Sequence, residues 1–291
     1  MISVIITAFK EPMTIGKAIL SISGQISEKD EIIVIAPDKE TLDKALIQRK
    51  RVKSLKVIKD KGEGKPAALN LAVSKAKGEI LILTDGDVYL GNNAVRSLIE
   101  SLEEENIGAV SGRPVSINER DNKFGFWAYM LTEVANEWRV KALKSGKRFF
   151  CSGYLFAIKK KLFPKLPENL LSEDGYISHK VYSSGFKIGY SENSEVYVKY
   201  PNNFRDWVIQ KKRSAGGYNQ IKKIFGKSTR SFGSESSGAF LFFKFVKNLR
   251  QFGWLVNLFF ARIYLWTAIY SDINLKNKNR EDIWKRVEST K

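Results

Sequence analysis

The sequence predicts an α/β protein whose sheet is mostly parallel and flanked by helices, extended at its C-terminus by helices rich in aromatic and basic residues. Three observations carry this. Short apolar runs recur at Val4-Ile5-Ile6, Ile32-Ile33-Val34-Ile35, Leu55-Lys56-Val57-Ile58 and Ile80-Leu81-Ile82-Leu83. The segments between them read as helices over residues 12–23, 41–50 and 66–76, where Ile15, Ile19 and Ile22, then Ala68, Leu69, Ala72 and Val73, recur at helical spacing. Apolar strands separated by helices belong to a parallel sheet covered on both faces, a Rossmann-like arrangement. Thirdly, the aromatics of the last third gather in one apolar stretch, 239–270.

Past residue 107 the alternation loosens. Ala109-Val110-Ser111-Gly112 and Tyr154-Leu155-Phe156-Ala157-Ile158 read as strands, and 126–143 as a long helix. Residues 228–238, rich in Ser and Gly, read as a linker. The expected organisation is therefore a domain over 1–227 with halves at 1–110 and 111–227, the linker, and a helical segment over 239–291. There is no internal repeat.

A chain of 291 residues can bury a full α/β core. Its one cysteine, Cys151, excludes an internal disulfide and fits a reducing compartment, where it serves as a small buried hydrophobe. With one histidine, His179, beside it, no zinc site can be assembled from Cys and His. The first residues read as a strand and not as a signal peptide, so the expected location is the cytoplasm or the cytoplasmic face of a membrane. The net charge of +18 is uneven: residues 205–291 carry 18 Lys and Arg against 6 Asp and Glu. Such a block points to an anionic partner, whether phosphate, nucleic acid or acidic lipid.

In parallel sheets ligands bind where strands end, and the fourth strand runs straight into Thr84-Asp85-Gly86-Asp87. Two carboxylates one residue apart can face one hard cation, with Gly86 letting the backbone come close to a ligand. Mg²⁺ or Mn²⁺ uses one or two carboxylates and completes its shell with phosphate oxygens and water. Upstream, Gly62-Glu63-Gly64-Lys65-Pro66 lacks the first glycine of a Walker A loop, yet it sets Lys65 at a helix start where ammonium and backbone N–H can face phosphate.

In order and spacing, Ser3-Val4-Ile5-Ile6-Thr7-Ala8-Phe9-Lys10-Glu11, Gly64-Lys65 with Ala68-Leu69-Asn70, Gly78-Glu79, Thr84-Asp85-Gly86-Asp87, Ser172-Glu173-Asp174 and Gln210-Lys211-Lys212-Arg213 resemble the successive motifs of family 2 glycosyltransferases over roughly residues 1 to 220. The resemblance implies the glycosyltransferase A fold, a nucleotide-sugar donor and inversion at the anomeric carbon. It implies that Thr7, Ala8, Glu11, Asp38, Lys65 and Asp85 bind the nucleotide sugar and that Asp85 and Asp87 hold Mg²⁺ or Mn²⁺. It makes Asp174 the catalytic base and sets Gln210 and Arg213 at the diphosphate and acceptor. Ser214 stands where processive members carry tryptophan, which argues against chain synthesis. Glu173 is expected to point away from the site, as sequence neighbours do, and His179 to be structural or exposed.

Residues 240–252 read as one basic amphipathic helix, with Phe242, Phe245, Val246, Leu249 and Phe252 opposite Lys244, Lys247, Asn248 and Gln251. The run 252–270 nearly reaches bilayer length, but Arg262 and Asn257 disfavour a full span. A helix at the surface of an anionic membrane, or packed on the domain, is expected, with a lipid-linked or glycan acceptor. Two rival readings are weaker. A nucleotidyltransferase acting on sugar phosphates would carry a glycine-rich loop where Thr7-Ala8-Phe9-Lys10-Glu11 has no glycine. A basic nucleic-acid-binding protein would interleave aromatics with cations on a sheet, so no nucleic acid partner is expected.

Overall fold

The computed structural model describes residues 1–226, 239–271, 287 and 289–290; the linker predicted at 228–238 lies outside them. The N-terminal part runs β1 (Ile2–Thr7), α1 (Ile15–Ser23), β2 (Glu31–Ala36), α2 (Lys39–Ile47), β3 (Leu55–Lys59), α3 (Lys65–Lys75) and β4 (Ile80–Asp85). Then come β5 (Tyr89–Leu90), α4 (Ala94–Glu103), β6 (Ile107–Ser116), α5 (Lys123–Lys144), β7 (Leu155–Lys159), α6 (Glu173–Ser183), β8 (Lys187–Val198) and α7 (Phe204–Phe225). Two C-terminal helices follow, α8 (Ala239–Phe243) and α9 (Leu249–Tyr270).

The eight strands form one sheet in the order β3-β2-β1-β4-β7-β6-β8-β5. The first four strands are parallel to one another. Four of the seven strand pairings are parallel, so the sheet is mostly parallel, as expected. β7 enters between β4 and β6 antiparallel to both, β6 and β8 are parallel, and β5 pairs antiparallel with β8. Which strands run antiparallel is not legible beforehand, because a short apolar run encodes burial on two faces and not the direction of its neighbours.

Alternating residues of the parallel strands feed two core layers, as the period of two requires. Val4, Ile6, Ile32, Val34 and Ile82 meet Ile15, Ile19 and Ile22 of α1 and Leu98 of α4. Ile5, Ile33, Ile35, Leu81 and Leu83 meet Ala68, Leu69 and Ala72 of α3 and Ile177 and Val181 of α6.

A third core lies off the sheet. Phe126, Trp127 and Met130 of α5 and Trp207 of α7 pack against Leu258, Ala261, Leu265 and Ile269 of α9. The Trp127 indole N–H donates to the Trp254 carbonyl at 2.7 Å. The single amphipathic helix predicted over 240–252 is divided. α8 ends at Phe243, and Asn248 caps α9 by accepting from the Gln251 N–H at 2.9 Å. The run 252–270 is thus most of a 22-residue helix that lays one face on α5 and α7.

Trp127 is fully buried in this core. Trp127→Ala is expected to cost about 3–5 kcal/mol of unfolding free energy, read by urea denaturation. An unchanged midpoint would mean that α9 does not depend on this contact.

Candidate active site

The site forms where β1 and β4 end side by side. Thr7 and Asp85 are register partners, and the Thr7 hydroxyl donates to Asp85 Oδ1 at 3.1 Å. Gly86 follows, its N–H donating to the Thr7 carbonyl at 2.9 Å. A Cβ on Gly86 would lie 2.5 Å from Glu11 Oε2 and 2.7 Å from Ala8 Cβ, so the turn tolerates no side chain. A cavity of about 890 Å³ opens here, and Thr7, Ala8, Glu11, Lys65, Asp85 and Asp87 all line it. Asp174, Gln210 and Arg213 line it as well.

Lys65 is the first residue of α3, released from the loop by Gly64 at φ 103°. Its ammonium lies 2.7 Å from Asp85 Oδ1 and 2.8 Å from Glu173 Oε1. Glu173 therefore points into the site, against the expectation. Burial alone would weaken the Lys65 ammonium, but Asp85 and Glu173 outweigh it and hold the group protonated far above the ordinary lysine range. Glu173 is buried too, yet Lys65 keeps its carboxyl below the usual glutamate range. Asp85 is pushed up by burial and by the charge of Asp87, against the pull of Lys65.

Asp174 sits in the first turn of α6, whose N-cap is Ser172. Its Oδ1 accepts from the Ser172 hydroxyl at 2.6 Å and the Gly175 N–H at 2.8 Å, and its Oδ2 accepts from the Gly153 N–H at 3.1 Å. Burial and the Glu173 charge raise its pKa above the ordinary aspartate value. Oδ1 is thus doubly held, while Oδ2 makes a single backbone contact and has further acceptor capacity.

Across the cavity, Gln210 and Arg213 share a face of α7, and Gln210 Nε2 lies 3.5 Å from the Tyr154 hydroxyl. Burial pushes the Tyr154 phenol up to about 12, against the positive charge of Arg213. Tyr154 and Asp60 were not singled out in the sequence, and both line the cavity. Asp38 is absent from the lining residues. It caps α2 instead, accepting from the Thr41 N–H at 3.0 Å and from the Lys10 N–H at 2.8 Å, which fixes the loop after β1. Asp60 follows β3 directly. His179 is stacked on Phe225 at 4.5 Å and lies edge-on to Phe150 at 5.0 Å, so its ring is used in packing. Cys151 is buried, its thiol pushed up to about 12.

The sequence matches Glycosyl transferase family 2 over residues 3–166, more than half of the chain. The chain belongs to this family. Among curated relatives, the probable glycosyltransferase YdaM of Bacillus subtilis is 24% identical over 230 residues, 74% of this chain and 54% of its own length. Glycosyltransferase GlyG of Streptococcus pneumoniae is 24% identical over 213 residues, 68% of this chain and 70% of its own. The chain thus spans about half the length of YdaM. Similar solved structures include S. aureus TarS 1-349 (TM-score 0.54, 17% identity, 84% of this chain and 70% of that one). GalNAc-T7 with UDP, GalNAc and Mn²⁺ is another (TM-score 0.52, 21% identity, 68% and 43%). The mixed sheet with its flanking helices is accordingly the glycosyltransferase A fold.

The donor set of this family member fits a hard divalent cation. Asp85 and Asp87 bracket a glycine with no room for a side chain and line the cavity together. Among the described residues no cluster of three or more His, Cys, Asp and Glu side chains is present, so a cation here would need oxygens from its ligand, as Mg²⁺ and Mn²⁺ sites with phosphates do.

Gly86→Ala is expected to destabilise the fold by about 1–3 kcal/mol through its clash with Ala8, read as a lowered thermal midpoint. A variant as stable as the parent, with nucleotide affinity unchanged, would show that the turn has slack.

Proposed function

We propose that this chain is a metal-dependent, inverting, hexosyltransferase-type enzyme. It moves a sugar from a nucleotide-sugar donor to a lipid-linked or glycan acceptor, at the cytoplasmic face of an anionic membrane. The observation that carries the reading is the cavity itself. A desolvated, backbone-held carboxylate, Asp174, shares it with the Asp85–Asp87 pair and with the cations Lys65 and Arg213. In this reading residues 1–110 supply the donor half and 111–227 the acceptor half of one catalytic domain.

Thr7, Ala8, Glu11 and Lys65 line the donor side, and Asp60 joins them in the wall. Asp38 contributes by holding the Lys10 backbone and not by touching the donor. Asp85 and Asp87 would hold the cation, which when bound neutralises charge on the diphosphate. Arg213 offers a planar fork to phosphate oxygens, and Gln210 a neutral donor beside it.

Transfer is a single displacement. The acceptor hydroxyl oxygen bonds to the anomeric carbon from the side opposite the leaving group. The bond from that carbon to the phosphate oxygen breaks, and the electron pair leaves with the nucleoside diphosphate. The hydroxyl proton passes to Asp174 Oδ2. The raised pKa of Asp174 suits this role, since a base nearer the working pH takes a proton more readily in the transition state. Two similar solved structures support the donor class and the cation: TarS in complex with UDP-GlcNAc, and GalNAc-T7 with UDP, GalNAc and Mn²⁺.

The test is a panel of nucleotide sugars with Mn²⁺, reading release of nucleoside diphosphate. Asp174→Asn is expected to lower turnover by about 10²–10⁴ while donor affinity, measured by calorimetry, holds within about threefold. If donor affinity collapses and turnover at saturation survives, Asp174 belongs to the donor pocket and another group is the base.

A further inference from the structure

α9 is apolar on two opposite faces. Its inner face, Leu258, Ala261, Leu265 and Ile269, is buried on α5 and α7. Its outer face carries Leu249, Phe252, Val256, Phe259, Phe260 and Ile263, all exposed; Phe259 and Phe260 are each 63% exposed. At 100° per residue these outer positions fall in one stripe opposite the inner one. An aromatic stripe of this length on open surface marks an interaction site.

Charge says what it meets. Residues 239–271 contain Lys244, Lys247, Arg250 and Arg262 and no acidic residue. Lys247 and Arg250 are exposed beside the first turn of the stripe. Cations at one end of an aromatic surface are complementary to anionic headgroups over acyl chains.

Length alone would let α9 cross a bilayer, since 22 residues make about 33 Å of helix. Packing opposes that. A span would pull Leu258 and Leu265 off Trp127 and Trp207 and carry Arg262 into the hydrocarbon. The helix can meet lipid while keeping its inner contacts only by lying flat.

We infer that the outer face of α9 docks flat on an anionic bilayer surface and sets the cavity beside it. This deepens the transferase reading, and rests on it for the cavity's role, by naming the surface that meets the membrane. It narrows that surface, expected of the aromatic stretch 239–270 as a whole, to the outward side of one docked helix. α5 is the link. Trp127 and Met130 face α9, while Phe124, Ala128 and Leu131 of the same helix line the cavity. Two packed helices, α9 and α5, each about 10 Å across, thus lie between the bilayer and the cavity wall.

The experiment is flotation of the full chain with vesicles of phosphatidylcholine alone or mixed with phosphatidylglycerol, with nucleoside diphosphate release measured on the same samples. The full chain is expected to float with the anionic vesicles, less so as salt rises but never fully released, because salt does not screen the apolar part. Phe259→Glu with Phe260→Glu is expected to cut the bound fraction at least about tenfold, leaving the thermal midpoint and donor affinity unchanged. Leu46→Glu with Ile47→Glu, exposed apolar residues of α2, should float like the parent. Three results overturn the inference: a parent chain that stays soluble with every vesicle, an α9 variant that floats as well as the parent, or a parent dimer without vesicle affinity that the α9 variant makes monomeric. Donor turnover without flotation sinks the docking surface alone. Flotation without turnover of any donor sinks the transferase reading alone.

Discussion

One ammonium group holds the site together. Lys65 starts α3, Asp85 ends β4 and Glu173 starts α6, and the Lys65 side chain touches both carboxylates. Three elements that are distant in sequence are tied at one point. Without that cation, two partly buried carboxylates would face each other across the cavity, each having lost much of its hydration. With it, Glu173 stays ionised below its ordinary range, and its charge falls instead on Asp174, the next residue, whose pKa rises. A lysine adopted by two acids thus sets one neighbour's charge and tunes another's basicity.

The antiparallel insertion of β7 makes this geometry possible. Parallel strands all end at the ligand side of the sheet, whereas a strand running the other way begins there. The approach to β7 therefore arrives where β4 stops. The Thr84 hydroxyl donates to the Tyr154 carbonyl at 2.8 Å, and one residue earlier the Gly153 N–H reaches Asp174. The reversed strand delivers to the cavity both a backbone donor for the carboxylate and the Tyr154 ring. A fifth parallel strand in that place would have brought its C-terminal end instead.

Much of this was legible in the sequence, for reasons that also explain what was not. β1 to β4 announce themselves because burial on both faces leaves few alternatives to apolar residues, and Asp85 and Asp87 stand out because they interrupt such a run. β8 escaped notice, since its middle carries Glu192, Asn193 and Glu195 where the pleat meets solvent and ion pairs. Glu173 was misjudged by the habit that adjacent residues diverge, but the cavity wraps the N-terminus of α6 and meets both. Asp60 carried a usable signal: it is the residue straight after the third strand, the rule that singled out Asp85. The break between α8 and α9 was also readable. Asn248 three residues before Gln251 is an N-cap pattern, hidden by the helical spacing of phenylalanines that runs across it.

The most direct test of the account is a double-mutant cycle on unfolding free energy between Lys65→Met and Glu173→Gln. The single Lys65 variant should be the least stable, because it strands two carboxylates, and adding Glu173→Gln should recover part of the loss. A coupling energy of at least about 1 kcal/mol is expected for groups in contact. Strict additivity of the two changes would mean that the ammonium does not bridge these carboxylates in solution, and the description of the site built on it would be wrong.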